Sequence, residues 1–455
     1  MRYFRLNNDC FLVQGRGAVL YDVSRSRLFV LDQEVSDVLR ACESQQPLKR
    51  EWASGPVHQF LDLLMTEGLG CNYDRPVYID KMSWVAPLQP LRRLLDPPVY
   101  VKVDWAITNR CDNHCPFCPR QQDEVVWQAC RSCLRRDDSQ ENLSILDNPK
   151  STIKQMVQLG LNGIHIRGGN PLLEWERLLT ILSVLKDYPH LRLAISTPGT
   201  GRSPEDIVSL YQYKNLILNV VLIGFEPVPG HCRSNGTPDS ARQFELLDAL
   251  LASHCPFHIS VLIPGGLSLD RPLASQFIYD RWKIKEPSFV EFYPPQNNGN
   301  QGEFRFSFAR DGKKRLEQWR DPNDFFFRVE KNTCLFGGME LTAGGSIMPC
   351  PGLDQVCGNV INADLRSALK GSLLYDLWEM SKNKIHGCEQ CVLRYGCSTC
   401  AAADFAGEHN PSLKRAYCPP CLQSSTSENS SFWDHDGFVY SLSIKKGLKS
   451  AKQRC

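Results

Sequence analysis

Three cysteines stand close together in the stretch Cys111-Asp-Asn-His-Cys115-Pro-Phe-Cys118. Cysteine thiolates are the usual protein ligands of iron-sulfur clusters, and a cubane cluster normally takes four of them. Three thiolates would leave one iron without a protein ligand, and an open coordination position is typical of a catalytic metal site. The alternative is a zinc site in which His114, Cys130 or Cys133 supplies a fourth ligand.

The spacing Cys-x3-Cys-x2-Cys, with the aromatic Phe117 before the last cysteine, resembles the signature of the radical S-adenosylmethionine (radical SAM) enzymes. This resemblance implies that Cys111, Cys115 and Cys118 hold a 4Fe-4S cluster whose fourth iron is chelated by S-adenosylmethionine (SAM). An electron from the reduced cluster would break the sulfonium bond, and the resulting 5′-deoxyadenosyl radical would abstract hydrogen from unactivated carbon. The protein would orient the substrate and exclude water and oxygen.

The composition is that of an ordinary soluble globular protein with about three domains of ~150 residues each. The chain has 455 residues, of which 42% are hydrophobic and 22% are charged. The formal net charge of +2 argues against nucleic acid as the main partner. No apolar run approaches the ~20 residues that span a bilayer, and the amino terminus lacks the apolar stretch of a signal peptide. We therefore expect a cytoplasmic protein without a membrane partner.

The twenty cysteines are concentrated in clusters. Fourteen of them lie at metal-ligand spacings in a large chain without a secretory signal, which predicts metal sites rather than disulfides. The other six are scattered, and small buried or incidental thiols are the simplest interpretation of them. These six are Cys10, Cys42, Cys71, Cys232, Cys255 and Cys455.

The amino-terminal part of the chain has the pattern of a compact module of three strands followed by two helices. Short β-rich runs at 11–13, 18–21 and 28–31 are separated by turn residues, which predicts a series of hairpins. Asp32 is the predicted N-cap of the first helix, and the second helix is predicted to stop at Gly68.

This order of elements resembles the winged-helix recognition domain of enzymes that modify ribosomally made peptides. The resemblance implies that residues 1–75 bind the leader of a precursor peptide, which would pair with the exposed edge of the third strand. The alternatives are a DNA-binding winged helix and a structural cap. Nine Lys or Arg against ten Asp or Glu in this module are a poor electrostatic footprint for DNA.

After a proline-rich linker at 76–98, residues 99–325 alternate strands with helical patterns. Such alternation predicts an α/β fold with a parallel sheet, and the radical SAM resemblance implies a partial (β/α)6 TIM-like barrel. Sites in parallel barrels lie at the carboxyl ends of the strands, which is where Cys111 falls. The six predicted strands are 99–103 continuing through 105–107, 163–167, 191–195, 217–223, 258–263 and 289–293.

The segment Arg167-Gly-Gly-Asn-Pro171, after the second predicted strand, resembles the Gly-Gly-Glu-Pro motif of radical SAM enzymes. Gly168 and Gly169 would let the backbone approach the cofactor closely, and the resemblance implies a contact with the amino group of SAM. Asn170 stands in place of the usual acid. Its amide oxygen can accept a hydrogen bond from an ammonium, but such a contact is weaker without a full charge.

Two further segments are predicted SAM contacts because of the resemblance. Ser196 and Thr197 follow the third strand, where radical SAM enzymes usually have a polar turn near the cofactor, and an ordinary polar loop is the alternative. Arg233 follows the fourth strand and would pair with the SAM carboxylate, unless it is a surface arginine. No catalytic side chain is identified from the sequence.

Residues 326–421 closely resemble the cysteine-rich SPASM domain of peptide-modifying radical SAM enzymes. The resemblance implies two auxiliary 4Fe-4S clusters, which makes three clusters in the chain. The first would be held by Cys388, Cys391, Cys397 and Cys418, and the second by Cys334, Cys350 and Cys400. Either Cys357 or Cys421 could complete the second cluster, or that cluster could keep an open iron for a substrate thiolate. Structural zinc is the alternative, since Cys-x2-Cys pairs are ordinary zinc ligands.

Two segments fall outside these resemblances. Cys130 and Cys133 could be a redox pair, a further metal site, a thiol hydrogen donor or nothing functional, and the sequence leaves all four interpretations open. Residues 422–455 form a polar, low-complexity stretch followed by a basic tail. Within this tail, 438–442 could dock as a strand.

Together the three modules predict an oxygen-sensitive radical SAM maturase of a ribosomally synthesised precursor peptide. A thioether or carbon crosslink is the first expectation, because auxiliary clusters suit a net oxidation, while backbone excision and epimerisation stay open. A sulfatase-activating type of protein modifier would leave the amino-terminal module unexplained. A metal-dependent scaffold or electron carrier is the non-enzymatic alternative. An external one-electron reductant such as flavodoxin or ferredoxin is an expected partner.

Overall fold

The structure is a computed structural model, and it describes most of the amino-terminal module, the central sheet and part of the cysteine-rich region. The described residues are 2–15, 17–83, 102–112, 125–126, 133, 149–223, 225–228, 231–234, 240–264, 269–293, 314–353, 355–361, 363–369, 373–397, 400–402, 433–434, 438–444 and 447–450.

The strands within this part of the chain are numbered in chain order. They are β1 (Tyr3–Leu6), β2 (Cys10–Gly15), β3 (Gly17–Asp22), β4 (Arg27–Leu31), β5 (Gly70–Tyr73), β6 (Lys102–Ala106), β7 (Val125–Val126), β8 (Gly163–Arg167), β9 (Arg192–Thr197), β10 (Leu216–Ile223), β11 (Phe225–Val228), β12 (His231–Ser234), β13 (Phe257–Pro264), β14 (Ser288–Tyr293), β15 (Lys314–Arg315), β16 (Gly338–Leu341), β17 (Ser346–Met348), β18 (Gly358–Asn359), β19 (Trp433–Asp434), β20 (Val439–Ser443) and β21 (Gly447–Ser450).

The α-helices are α1 (Gln33–Glu43), α2 (Pro56–Thr66), α3 (Pro149–Gln158), α4 (Trp175–Leu185), α5 (Pro204–Ser209), α6 (Ser240–Ala252), α7 (Arg271–Trp282), α8 (Pro322–Glu330), α9 (Leu365–Leu369) and α10 (Leu373–Trp378). Short 3-10 helices lie at Arg50–Ala53, Pro171–Glu174 and Leu210–Gln212. None of the helices in the described ranges is both long and apolar enough to cross a bilayer.

A ten-stranded sheet forms the centre of the molecule, in the order β18-β17-β16-β6-β8-β9-β10-β13-β14-β7. The strands from β16 to β14 run parallel to one another, and the six predicted strands are all among them. The predicted α/β fold with a parallel sheet is therefore confirmed. β16 was not predicted. It extends the sheet beyond β6, and the register pairs Gly338 with Lys102 and Leu341 with Trp105.

The connecting helices cover one face of this sheet. α4 buries Leu178, Leu182 and Leu185, which recur at the spacing of a single helical stripe. Ile164 and Ile166 of β8 are buried in the same hydrophobic cluster. Because side chains alternate along a strand, His165 between these two points to the other face of the sheet. That second face carries the polar side chains of the candidate site.

The amino-terminal module contains the predicted meander β2-β3-β4 and the two predicted helices. Asp32 caps α1 as predicted, since its carboxylate accepts a hydrogen bond from the Val35 N–H at 2.8 Å. Gly68 has a φ of +68° just after α2, a conformation that favours glycine and ends the helix. The antiparallel pair β1-β5 was not predicted, because its partners lie at opposite ends of the module.

The edge of β4, predicted to be exposed, is covered in the structure by the carboxyl-terminal strand β20. The two strands are parallel, with Val439 opposite Leu28 and Leu442 opposite Leu31. β21 pairs antiparallel with the other edge of β20. Tyr440 stacks on Phe29 with ring centroids 5.3 Å apart. The expectation that 438–442 could dock as a strand is confirmed, and the expectation of an open edge is wrong because this strand fills it.

The amino-terminal module is also joined to the cysteine-rich region through a second core. Tyr21 and Trp319 are fully buried there, with ring centroids 5.5 Å apart. The Trp319 indole N–H donates to the Val23 carbonyl at 2.8 Å, and the Tyr21 hydroxyl donates to the Val392 carbonyl at 2.7 Å. The module therefore shares its stability with residues more than three hundred positions away.

We predict that Trp319→Ala destabilises the protein by about 3–5 kcal/mol, because it leaves a cavity in the shared core and an unpaired Val23 carbonyl. Thermal unfolding followed by far-ultraviolet circular dichroism should show a lower midpoint. Trp52→Ala is the matched control, since Trp52 is only partly buried on a short 3-10 helix. Equal midpoint shifts for both variants would contradict a special role for the shared core.

Candidate functional site

The segment that follows β6 and carries Cys111, Cys115 and Cys118 is called the cysteine loop, and it begins at the carboxyl end of that strand. The Ile107 N–H donates to the Arg167 carbonyl at 3.0 Å, which continues the pairing of β6 with β8 past the end of the strand. Cys111 is partly exposed a few residues later. Five of the cysteines singled out from the sequence lie outside the described residues, namely Cys115, Cys118, Cys130, Cys418 and Cys421.

The turn at Gly168 and Gly169 packs directly against the backbone that leads to Cys111. Both glycines have positive φ, 91° and 48°. A Cβ at Gly168 would stand 2.5 Å from the Thr108 carbonyl oxygen, and a Cβ at Gly169 would stand 2.1 Å from that of Arg110. The glycine pair therefore allows this close approach, which any side chain would prevent.

Asn170 follows the two glycines and is completely buried. Its backbone N–H donates to the Arg110 carbonyl at 2.8 Å, which ties the turn to the cysteine loop. Its Oδ1 accepts from the Leu172 N–H at 3.2 Å and from the Thr197 hydroxyl at 2.9 Å. The oxygen predicted to accept from an ammonium thus already accepts two hydrogen bonds within the protein.

Asp112 and Thr200 belong to the same cluster and were not predicted. The Asn170 amide nitrogen donates to Asp112 Oδ1 at 2.9 Å, and the Thr200 hydroxyl donates to the same oxygen at 3.0 Å. A signal was present in the sequence: an acid directly after the first cysteine, in a chain whose Gly-Gly motif lacks its usual acid. The cluster joins the cysteine loop to the ends of β8 and β9.

Ser196 takes part in a different arrangement from Thr197, although the two are adjacent. The Ser196 hydroxyl lies 2.7 Å from His165 Nε2 and accepts from the Asn219 amide at 2.7 Å. Ser260 donates to Asn219 Oδ1 at 2.8 Å, and His165 Nδ1 lies 2.8 Å from Asp104 Oδ1. These residues form a polar layer across β6, β8, β9, β10 and β13, on the face opposite the helices.

Asp104 gives this layer a negative charge. Burial alone would raise the pKa of the Asp104 carboxyl, but the hydrogen bond and charge of His165, with the charges of Arg167 and Lys102, hold that pKa below its usual value. The carboxylate is therefore ionised at neutral pH. Arg167 also forms a buried ion pair with Glu340 of β16 at 3.5 Å, so the layer continues to the added strand.

Arg233 lies in the small hairpin of β11 and β12, where its backbone is opposite that of Glu226. Its predicted contact with the SAM carboxylate stays a prediction. Cys133 is described only as part of a turn, so its role also stays open.

The described carboxyl-terminal cysteines differ in their surroundings, and of the pair before Cys397, Cys388 is buried and Cys391 partly exposed. Cys334, Cys350 and Cys400 pack against the large core of the parallel sheet, and Cys357 is buried within it. Cys397 packs instead against the core shared with the amino-terminal module. Burial raises the pKa of the Cys357 thiol to about 11, so without a metal it remains a neutral, apolar group. Among the described residues, no three Cys, His, Asp or Glu side chains stand close enough to hold one metal ion.

Positive side chains surround Cys397. Arg328, Lys331, Lys382 and Arg394 line one pocket with it, and the Lys382 ammonium donates to the Cys397 carbonyl at 3.0 Å. Nearby cations suit a negatively charged iron-sulfur cluster. The donor chemistry at this position therefore fits such a group. At the cysteine loop, the thiol of Cys111 and the glycine turn beside it fit a cluster and its ligand.

Residues 105–268 match the family described as the Radical SAM superfamily. No curated protein sequence matches the chain. Among solved structures, Streptococcus suis SuiB bound to S-adenosylmethionine is similar, with 14% identity and a TM-score of 0.41 over 88% of this chain and 96% of that one. SuiB bound to precursor peptide SuiA has 15% identity and a TM-score of 0.42 over 88% and 96% of the two chains. Native anSMEcpe with bound AdoMet has 12% identity and a TM-score of 0.45 over 70% and 98%. Residues 105–268, which match the radical SAM family model, thus lie on the parallel sheet of an α/β fold.

Proposed function

We propose that this protein is a radical SAM enzyme that modifies a ribosomally made precursor peptide. One observation carries the proposal: the backbone that leads from the carboxyl end of β6 to Cys111 packs against the Gly168-Gly169 turn at the end of β8. A 4Fe-4S cluster and SAM, when bound there, supply the means to abstract hydrogen from carbon. The residues of this chain would hold both groups and present the substrate to them.

The polar layer on the face of the sheet opposite the helices would position the substrate. Asp104 offers a carboxylate and His165 an imidazole 2.8 Å from it, and Ser196, Asn219 and Ser260 offer hydroxyl and amide groups at neighbouring strands. A peptide backbone can exchange hydrogen bonds with such groups. Because the layer is held by its own internal hydrogen bonds, it needs little reorganisation when substrate enters.

The carboxyl-terminal cysteines would hold two auxiliary 4Fe-4S clusters. Cys397 packs against a different core from Cys334, Cys350 and Cys400, which supports two sites rather than one. The cations around Cys397 support an anionic group at the first of them. These clusters would conduct electrons from an external reductant or accept the electron that a crosslink releases. A thioether or carbon crosslink is accordingly the reaction that we favour.

Residues 1–75 would recognise the leader of the precursor. Support comes from the edge of β4, which accepts a parallel strand, namely β20. Leu442 of that strand is buried in one cluster with Leu31 and Val35, so the site offers main-chain pairing and an apolar pocket together. A leader that uses this edge must displace β20. Deleting the whole module would not test docking, because Tyr21 and its neighbours also support the cysteine-rich region.

We predict that anaerobically reconstituted protein, given a reductant and SAM, forms 5′-deoxyadenosine, and that Cys111→Ala abolishes this product. The variant loses one of three thiolates that hold the cluster, so its iron content should fall by about four from roughly twelve per chain. Cys255→Ala is the control, since Cys255 lies just before β13, at the opposite end of the strands.

Chromatography of the nucleoside product and iron analysis provide the two measurements. Zinc without iron in the wild-type protein would refute the proposed function. Product formation by Cys111→Ala at the wild-type rate would refute the assignment of the loop.

A second prediction concerns the β4 edge. A labelled synthetic peptide of residues 436–450 should bind poorly to the wild-type chain, whose own β20 occupies the edge, and should bind well to the full-length variant Leu442→Asp. If β20 stayed in place, the new carboxylate at position 442 would be buried in an apolar cluster. Because that burial is unfavourable, we expect β20 to leave the edge of β4. Ser441→Asp is the matched control, because Ser441 is exposed on the same strand.

Fluorescence anisotropy of the labelled peptide gives the dissociation constants. Far-ultraviolet circular dichroism shows whether each variant keeps its fold. If Leu442→Asp keeps its fold and binds the peptide no better than the Ser441→Asp control, exchange at this edge is excluded.

A further inference from the structure

The Gly-Gly-Asn-Pro turn lacks a charge at the position where the resembled motif has an acid. SAM carries a positive ammonium group, and a hydrogen bond between two charged groups is roughly twice as strong as one between neutral groups. With an amide at this position, a hydrogen bond of that strength to the ammonium group needs a carboxylate from another residue.

Asn170 cannot supply a free acceptor. Its Oδ1 accepts from the Leu172 N–H and the Thr197 hydroxyl, and its Nδ2 donates to Asp112 and to the Thr200 carbonyl at 3.0 Å. The orientation of the amide is fixed by two partners of unambiguous polarity, because a backbone N–H only donates and a carboxylate only accepts. Asn170 is therefore a fully bonded structural group.

Asp112 is the acid nearest to this turn. Its Oδ1 is anchored by Asn170 and Thr200, both of which are buried, while the Asp112 side chain itself is exposed. Both donors are neutral. They orient the carboxylate without cancelling its charge, which is the arrangement that a cation-binding acid requires.

The second oxygen of Asp112 faces Gly201. A Cβ at Gly201, whose φ is +83°, would stand 2.8 Å from Leu173 Cδ2, 3.4 Å from the Asn170 amide nitrogen and 3.6 Å from Asp112 Oδ2. Gly201 also lines an open cleft at the end of β9, together with Arg202 and Ser203. A side chain at Gly201 would therefore clash with Leu173 and crowd the carboxylate, which glycine avoids.

We propose that Asp112, rather than Asn170, supplies the carboxylate that binds the ammonium group of SAM. The inference rests on the proposed function, because it assumes that SAM binds beside Cys111. In this arrangement Asn170 is a positioning residue, which holds Asp112 through one hydrogen bond and the glycine turn through another. The charge lies one residue after Cys111, on the cysteine loop itself.

The test is the affinity of reconstituted full-length protein for SAM, measured by equilibrium dialysis under anaerobic conditions. Asp112→Asn keeps an oxygen that can accept from Asn170 and Thr200, so it removes the charge and preserves the local bonds. We expect its dissociation constant for SAM to rise by about 10- to 100-fold. Asp112→Glu keeps the charge and should retain more of the affinity.

Two controls separate the charge of Asp112 from other effects. 5′-Methylthioadenosine lacks the amino-acid part of SAM, so its affinity should be the same for wild type and Asp112→Asn. Glu174→Gln removes an equal charge nearby, from a residue paired with Arg110 and Arg177, and should leave SAM affinity within about twofold.

Each outcome has one meaning. Unchanged SAM affinity in Asp112→Asn overturns the inference, as does an equal loss for 5′-methylthioadenosine, because the effect would then be structural. Absence of SAM binding by the wild-type protein refutes the proposed function instead. A loss confined to SAM and to Asp112→Asn establishes the carboxylate as the ammonium partner.

Discussion

The close approach between the turn at the end of β8 and the backbone after β6 is the constraint on which the candidate site depends. It exists because Gly168 and Gly169 have no side chains and adopt positive φ. Through it, the Asn170 N–H reaches the Arg110 carbonyl, and the Asn170 side chain reaches Asp112. The first cysteine of the loop is thus held in place by the neighbouring strand as well as by its own.

Contacts between segments that are far apart in the sequence also stabilise the rest of the molecule. The cysteine-rich region contributes β16 to the parallel sheet, beside β6, and its Glu340 pairs with Arg167 next to the glycine turn. It also contributes Phe326 and Tyr395 to the core beneath the amino-terminal meander. The three modules are therefore linked by shared strands and shared cores, and a change in one of them reaches the cysteine loop through packed structure.

Local patterns predicted most of the secondary structure correctly. Alternation and strand-favouring residues identified the six parallel strands, and Asp32 and Gly68 marked the helix ends that the structure has. These features depend on residues close together in the chain. The pairing of β20 with β4, of β5 with β1 and of β16 with β6 depends on tertiary contacts, for which short-range periodicity carries no signal.

The candidate site likewise contains residues that the sequence alone revealed and residues that only the structure revealed. The glycine pair and Cys111 could be recognised from their spacing. The part played by Asp112 could not, because it depends on the side-chain oxygen of Asn170 already accepting hydrogen bonds from Leu172 and Thr197. Likewise, Ser196 was singled out for a cofactor, and the structure engages it with His165 and Asn219. Hydrogen-bond partners across strands are fixed by register, which a single sequence does not reveal.

The position of β20 has a consequence for how the chain is made. Residues 27–31 emerge from the ribosome long before residues 439–443, so the edge of β4 has no partner throughout most of translation. An unpaired edge is a template for aggregation, and incomplete chains are exposed to it at that stage. Losses during production in a foreign host should therefore arise in nascent chains, where slower synthesis or added chaperones would help, rather than in the finished protein.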